Sequence, residues 1–178
     1  VYEEKTAGNA GFASNPIGWG RLRRYVLSEK ERKVLEERLK ELYGLAKVER
    51  AEVAKSKKNV FYIVDGTLAF MGEELIPTLC GLNRLKLTLP KVLVDDGAVR
   101  ALAKGADLFV PGIKGKEGDA EVGKVVIAVT LKGVPVAVLK VLMKLEPGVE
   151  RGKFGQNLHY LGDQIWEACS KGKLPEEE

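Results

Sequence analysis

Two strand-turn-strand signals, far apart in the chain, commit it to β-sheet in two separate places. Val60 to Val64 and Thr67 to Met71 flank Asp65-Gly66, a dipeptide that readily takes the positive φ angles of a tight hairpin turn. Val125 to Thr130 and Val134 to Met143, rich in β-branched residues, flank a second turn at Lys132-Gly133. Between them, Asn83 to Lys86 followed by Pro90 reads as a junction. A domain boundary is therefore expected near residues 84 to 90. With 178 residues, the chain is long enough for two small cores or one larger one.

The first half adds one well-marked helix. The rough alternation from Arg21 to Leu27 could pair as a strand, and Ser28 with Glu31 then forms a Ser-x-x-Glu capping box. Val34, Leu35, Leu39, Leu42 and Tyr43 recur at helical spacing until Gly44 stops the helix. Pro77 opens a short helix through Leu82. In the second half Val92 to Val94 reads as a buried strand, Asp95-Asp96 as a helix cap and Ala98, Val99, Leu102 and Ala103 as an apolar helix face ending at Gly105. Leu108 to Val110 returns as a strand that stops at Pro111-Gly112, and Lys114 to Gly118 reads as a flexible basic loop. A last strand is expected around Tyr160, or around Ile165 and Trp166. Many strands with one short helix fit a small barrel.

Composition narrows the function classes. The longest nearly apolar stretch, Val134 to Met143, is interrupted by Lys140 and is about half of the roughly 20 residues a bilayer span needs. No membrane span or secretory signal is read, so a cytoplasmic protein is expected. Cys80 and Cys169 lie far apart with no second Cys or His at ligand spacing, so neither a disulfide framework nor a zinc ribbon is expected. His159 is the single histidine. Without a Ser, Cys or paired carboxylate completing a nucleophilic set, it reads as structural, and no enzyme, metal or cofactor is expected. Trp166 and Phe154 read as core residues, with base stacking as the lesser option. Of the formal +4, residues 1 to 58 carry 14 Lys plus Arg against 9 Asp plus Glu, while the remainder carries 15 against 16. The basic excess lies at the front and suits either a polyanion partner or a solvated surface.

The run from Val94 to Ile113 holds the most chemistry. Gly97, Gly105 and Gly112 permit close backbone approach, and Arg100, Lys104, Lys114 and Lys116 add positive charge. Its order, strand, helix, Gly-Ala, strand, Pro-Gly, resembles the PUA domain over residues 90 to about 167. Leu75 to Leu79 and Asn157 to Trp166 resemble, more narrowly, the malignant T-cell-amplified sequence protein family and its archaeal relatives.

The resemblance implies an α+β architecture in which a small α/β N-terminal domain is followed by a PUA-type β pseudo-barrel. The expected division is a flexible leader over 1–20, the N-terminal domain over 21–86, the PUA domain over 87–168 and an acidic tail over 169–178. It also implies a non-enzymatic RNA-binding protein of the translation apparatus, acting at the small ribosomal subunit in initiation or recycling on rRNA or tRNA. A separate initiation-factor-like protein is a possible partner. The PUA surface carried over comprises Asp96, Gly97, Ala98, Arg100, Lys104, Gly105, Ala106, Phe109, Pro111, Gly112 and Lys114. Asp95, Asp96 and Asp107 oppose phosphate binding there. Arg21, Arg23, Arg24, Lys55, Lys57 and Lys58 leave two readings open: solvated edge charges that discourage strand aggregation, or a second contact with ribosomal RNA. An RNA-targeting accessory subunit of a tRNA or rRNA modification enzyme is the alternative function, and a protein-interaction adaptor is a third.

Overall fold

The structure, a computed structural model, describes residues 21–172 and 174. The leader over 1–20 and the end of the tail over 175–178 lie outside the described residues. The chain divides into two compact units, one ending at Thr88 and resumed at Gly162, the other spanning Leu89–Leu161.

The first unit is built on an antiparallel sheet of β1 (Arg23–Val26), β2 (Ala51–Lys55), β3 (Val60–Val64), β4 (Thr67–Met71) and β5 (Ile76–Pro77), in that spatial order. The Asp65-Gly66 turn forms, with φ of 49° and 85°. Helix α1 (Glu29–Tyr43) starts on the expected box: the Ser28 hydroxyl accepts from the Glu31 N–H, and the Ser28 N–H donates to the Glu31 carboxylate. Its buried residues are Leu35, Leu39 and Tyr43, and the Tyr43 ring stacks on Phe70 of β4 at 5.8 Å. Ala54, Phe61, Ile63 and Leu68 of the strands form a core with Leu22, Cys80, Ile165, Ala168 and Cys169. Short helix α2 (Leu79–Arg84), started by Thr78 rather than by Pro77, supplies Cys80. Gly81 in that helix sits so close to β4 that a Cβ would lie 2.7 Å from the Ala69 carbonyl oxygen.

The second unit holds β6 (Lys91–Val94), α3 (Asp96–Leu102), β7 (Leu108–Phe109), a 3-10 turn (Val110–Gly112), β8 (Ile113–Glu117), β9 (Val125–Val129), β10 (Pro135–Val141) and β11 (Lys153–Tyr160). Its strands form one curled sheet, a half-barrel, ordered β7-β11-β10-β9-β6-β8, with only the β6 and β9 neighbours parallel. Register shifts at Val138/Leu139, Pro135/Ala137 and Leu93/Val94 mark the irregularities that bend such strands. Val92, Val94, Leu102, Leu108, Val126, Ala128, Leu139, Val141 and Phe154 fill the core of this unit. The α+β architecture therefore holds.

Four expectations need correction. Lys114 to Gly118 is not a flexible loop, because Ile113–Glu117 pairs with β6 through backbone hydrogen bonds that its small and polar residues do not advertise. Ile165 and Trp166 lie not in a strand but in helix α4 (Gln164–Lys171), where Ile165, Ala168 and Cys169 follow helical spacing behind the Asp163 cap. That helix belongs to the first unit, so the PUA-like unit stops at Leu161 rather than 168 and residues 169–171 are helix rather than tail. Finally, Cys80 and Cys169 form a disulfide with Cα atoms 5.9 Å apart.

Candidate nucleic-acid interface

The surface carried by α3 is organised by Asp95. Its carboxylate accepts from the Ala98 N–H at 2.8 Å and its own N–H donates to the Gly112 carbonyl at 3.0 Å, so the end of β6, the start of α3 and the 3-10 turn meet at one residue. Gly112 lets the turn reach the helix, since a Cβ there would lie 2.8 Å from the Ala98 Cβ. The helix ends earlier than expected, at Leu102 with Ala103 as its cap, and Gly105, at φ 91°, serves the turn that follows, its N–H donating to the Leu102 carbonyl at 2.9 Å. These two glycines thus serve the protein's own backbone. Gly97 differs: it is exposed, and a Cβ there would make only ordinary contact with the Asp95 carboxylate at 3.5 Å.

Electrostatics on this face favour anions more than the sequence suggests. Asp107 accepts from the Asn157 N–H at 2.8 Å and pairs with the Lys153 ammonium at 3.1 Å. Asp95 is occupied as a cap, with the Lys114 ammonium 3.9 Å away. Asp96 alone of the three acids remains an exposed counter-charge. Arg100 and Lys104 are exposed, and among the described residues neither has a carboxylate within ion-pair distance. Ala106 and Pro111 are exposed as well, while Ala98 is half-buried against the core.

Sequence reasoning missed Lys153 and the role of Asn157. The register of β11 on β7 places Lys153 opposite Phe109, and its ammonium stands 5.8 Å from the centre of that ring. Phe109 is 50% exposed, an aromatic face offered to solvent beside a cation. The Asn157 side-chain amide donates to the Leu102 and Ala106 carbonyls at 3.2 and 2.9 Å, fastening the end of α3 to β11. Only the register, not any local motif, reveals these contacts.

The second basic group lies on the first unit. Arg21, Arg23, Lys55, Lys57 and Lys58 line one groove of about 930 Å³ with Tyr25 and Ser56. Arg24 does not join them; strand alternation turns it to the other face, where its guanidinium meets the Glu52 carboxylate at 3.0 Å. His159, fully buried opposite Val138, is placed as a structural residue, and Phe154 is core. Trp166 packs partly buried against the core of the first unit. Among the described residues no group of His, Cys, Asp and Glu is arranged to hold a metal ion.

Residues 90–146 match the PUA domain family, and residues 23–85 match a family described as a domain of unknown function. The chain is 31% identical to an uncharacterized protein of Methanocaldococcus jannaschii, over 81% of this chain and 95% of that one. It is 30% identical to translation machinery-associated protein 20 of Eremothecium gossypii, over 74% of this chain and 78% of that one. The chain belongs to the translation machinery-associated protein 20 family. The crystal structure of a PUA domain from Aeropyrum pernix K1 superposes on it with a TM-score of 0.73 at 34% identity, covering 86% of this chain and 94% of that one. The resemblance to the malignant T-cell-amplified sequence proteins is also present, at 30% identity to human member 2 over 58% of this chain and 62% of that one. Family membership thus spans both units, not the PUA domain alone.

Proposed function

We propose that this member of the translation machinery-associated protein 20 family is a non-enzymatic RNA-binding protein that acts in the cytoplasm at the small ribosomal subunit, in initiation or recycling. The α3 and β7 face is its RNA contact. A separate initiation-factor-like protein is its expected partner. One observation carries the reading: among the described residues Arg100 and Lys104 stand exposed without carboxylate partners, on the unit that also offers Phe109 beside Lys153, while Asp95 and Asp107 are engaged inside the fold. Cations in this state supply phosphate affinity, and an exposed aromatic face suits an unstacked base. Asp96, Gly97 and Lys114 border the same surface.

A second reading has one observation in its favour. Over 65 residues the chain is 42% identical to a probable tRNA pseudouridine synthase B of Pyrococcus abyssi, which covers 20% of that protein. On that reading the chain is an RNA-targeting accessory subunit of a tRNA or rRNA modification enzyme. Co-sedimentation with purified small ribosomal subunits over a range of salt separates the two. Salt-sensitive retention on subunits is the expected result; binding to tRNA without binding to subunits supports the accessory role, and binding to neither contradicts both.

A further inference from the structure

The groove on the first unit is a like-charge arrangement built into a sheet. The register of β1 on β2 sets Arg23 directly opposite Lys55, a pairing that weakens a sheet when no counter-charge is present. Among the described residues, none of Arg23, Lys55, Lys57 and Lys58 has a carboxylate within ion-pair distance. The same two strands treat the opposite face differently, where Arg24 is neutralised by Glu52. Among the described residues no acidic side chain lines the groove.

Protection of a sheet edge explains part of this pattern, since β1 is the outermost strand. It does not explain Lys57 and Lys58, which stand on the turn between β2 and β3. That turn is fixed: the Ser56 hydroxyl accepts from the Lys58 and Asn59 N–H groups at 3.3 and 3.1 Å, and the Ser56 N–H donates to the Asn59 carbonyl at 2.8 Å. Nor does it explain Tyr25, 45% exposed in the same groove. A concave row of cations beside an exposed aromatic ring is the arrangement that follows a single-stranded backbone while stacking a base.

We infer that this groove is a second RNA site, which takes a single-stranded segment independently of the α3 face, with the cations on phosphates and Tyr25 against a base. The inference rests on the RNA-binding reading of the chain but not on the residues assigned to the other unit. The test is fluorescence anisotropy of a labelled oligo(U) of about a dozen nucleotides with the full chain across salt. Combined Arg23→Gln, Lys55→Gln and Lys57→Gln should weaken binding at least tenfold and lower the salt slope by about 2, with an unchanged thermal midpoint. Tyr25→Leu should weaken it about tenfold, while Tyr25→Phe binds as the parent does. Polyglutamate should compete poorly.

Unchanged affinity in the triple variant overturns the second site, as does polyglutamate competing as well as RNA, which would assign the groove to an acidic protein segment. Equal losses in Tyr25→Leu and Tyr25→Phe overturn the stacking role. Arg100→Ala with Lys104→Ala, measured beside them, tells the two sites apart: its effect should add to that of the triple variant. A loss confined to Arg100 and Lys104 leaves the PUA reading standing and removes this one; a loss confined to the triple variant does the reverse.

Discussion

Tyr43 joins three structural elements through one side chain. Its ring stacks on Phe70, and its hydroxyl donates to the Leu75 carbonyl at 2.7 Å. Leu75 is a non-glycine residue at φ 59°, a conformation that costs about 1 to 3 kcal/mol and persists only where neighbours hold it. Burial pushes the Tyr43 hydroxyl up from 10.0 to about 12. Because the folded state holds this proton more tightly, its contribution is fully present below the unfolded value and is lost as pH rises through the folded one. Stability should therefore fall between about pH 10 and 12. Tyr43→Phe should lower stability at neutral pH by about 1 to 2 kcal/mol and flatten that alkaline decline, as read from urea unfolding at a series of pH values. A remaining slope is expected from Tyr62, which burial also raises. At this scale the legible features were those closed within a few residues, such as the Ser28 and Glu31 box and the Asp95 cap. The Asp107 partners were not legible, because Lys153 and Asn157 come from a strand far along the chain.

Elements were legible where the turn and the periodicity lie in the same stretch. The hairpin of β3 and β4 and helix α1 both meet that condition. Strand β8 does not: its Lys-Gly-Lys core has little strand preference of its own, and pairing with β6 supplies the order. Helix α4 carried a readable signal, an Asp163 cap, three apolar residues at helical spacing and Gly172 in the left-handed region. The disulfide that fastens α4 to α2 spans a sequence separation of 89 residues and encloses the whole second unit. No local pattern announces such a pairing. In the chain-entropy account, a loop of that length stabilises the fold by about 4 to 5 kcal/mol. Reduction, or Cys169→Ser, should therefore lower the thermal midpoint substantially, and α4 should lose hydrogen-exchange protection. A midpoint indifferent to reductant would contradict a closed Cys80–Cys169 bond.

At the scale of the whole molecule, the uneven charge resolves into two surfaces of different character. The basic front of the chain is concentrated in the groove of Arg23, Lys55, Lys57 and Lys58. The remainder of the chain sums to nearly neutral, but its acids Asp95 and Asp107 are engaged by hydrogen bonds and an ion pair. Charge counting alone located the first surface and understated the second. The second unit, Leu89–Leu161, itself carries 11 Lys plus Arg against 8 Asp plus Glu, so long-range attraction is not confined to the first unit, and the α3 face adds shape and an exposed ring to it. The most direct test of RNA recognition by that face is the salt dependence of binding to a short mimic of a tRNA acceptor end. Arg100→Ala combined with Lys104→Ala should weaken binding and reduce the steepness of log K against log salt by roughly 1 to 2; an affinity and slope equal to those of the parent protein would contradict it.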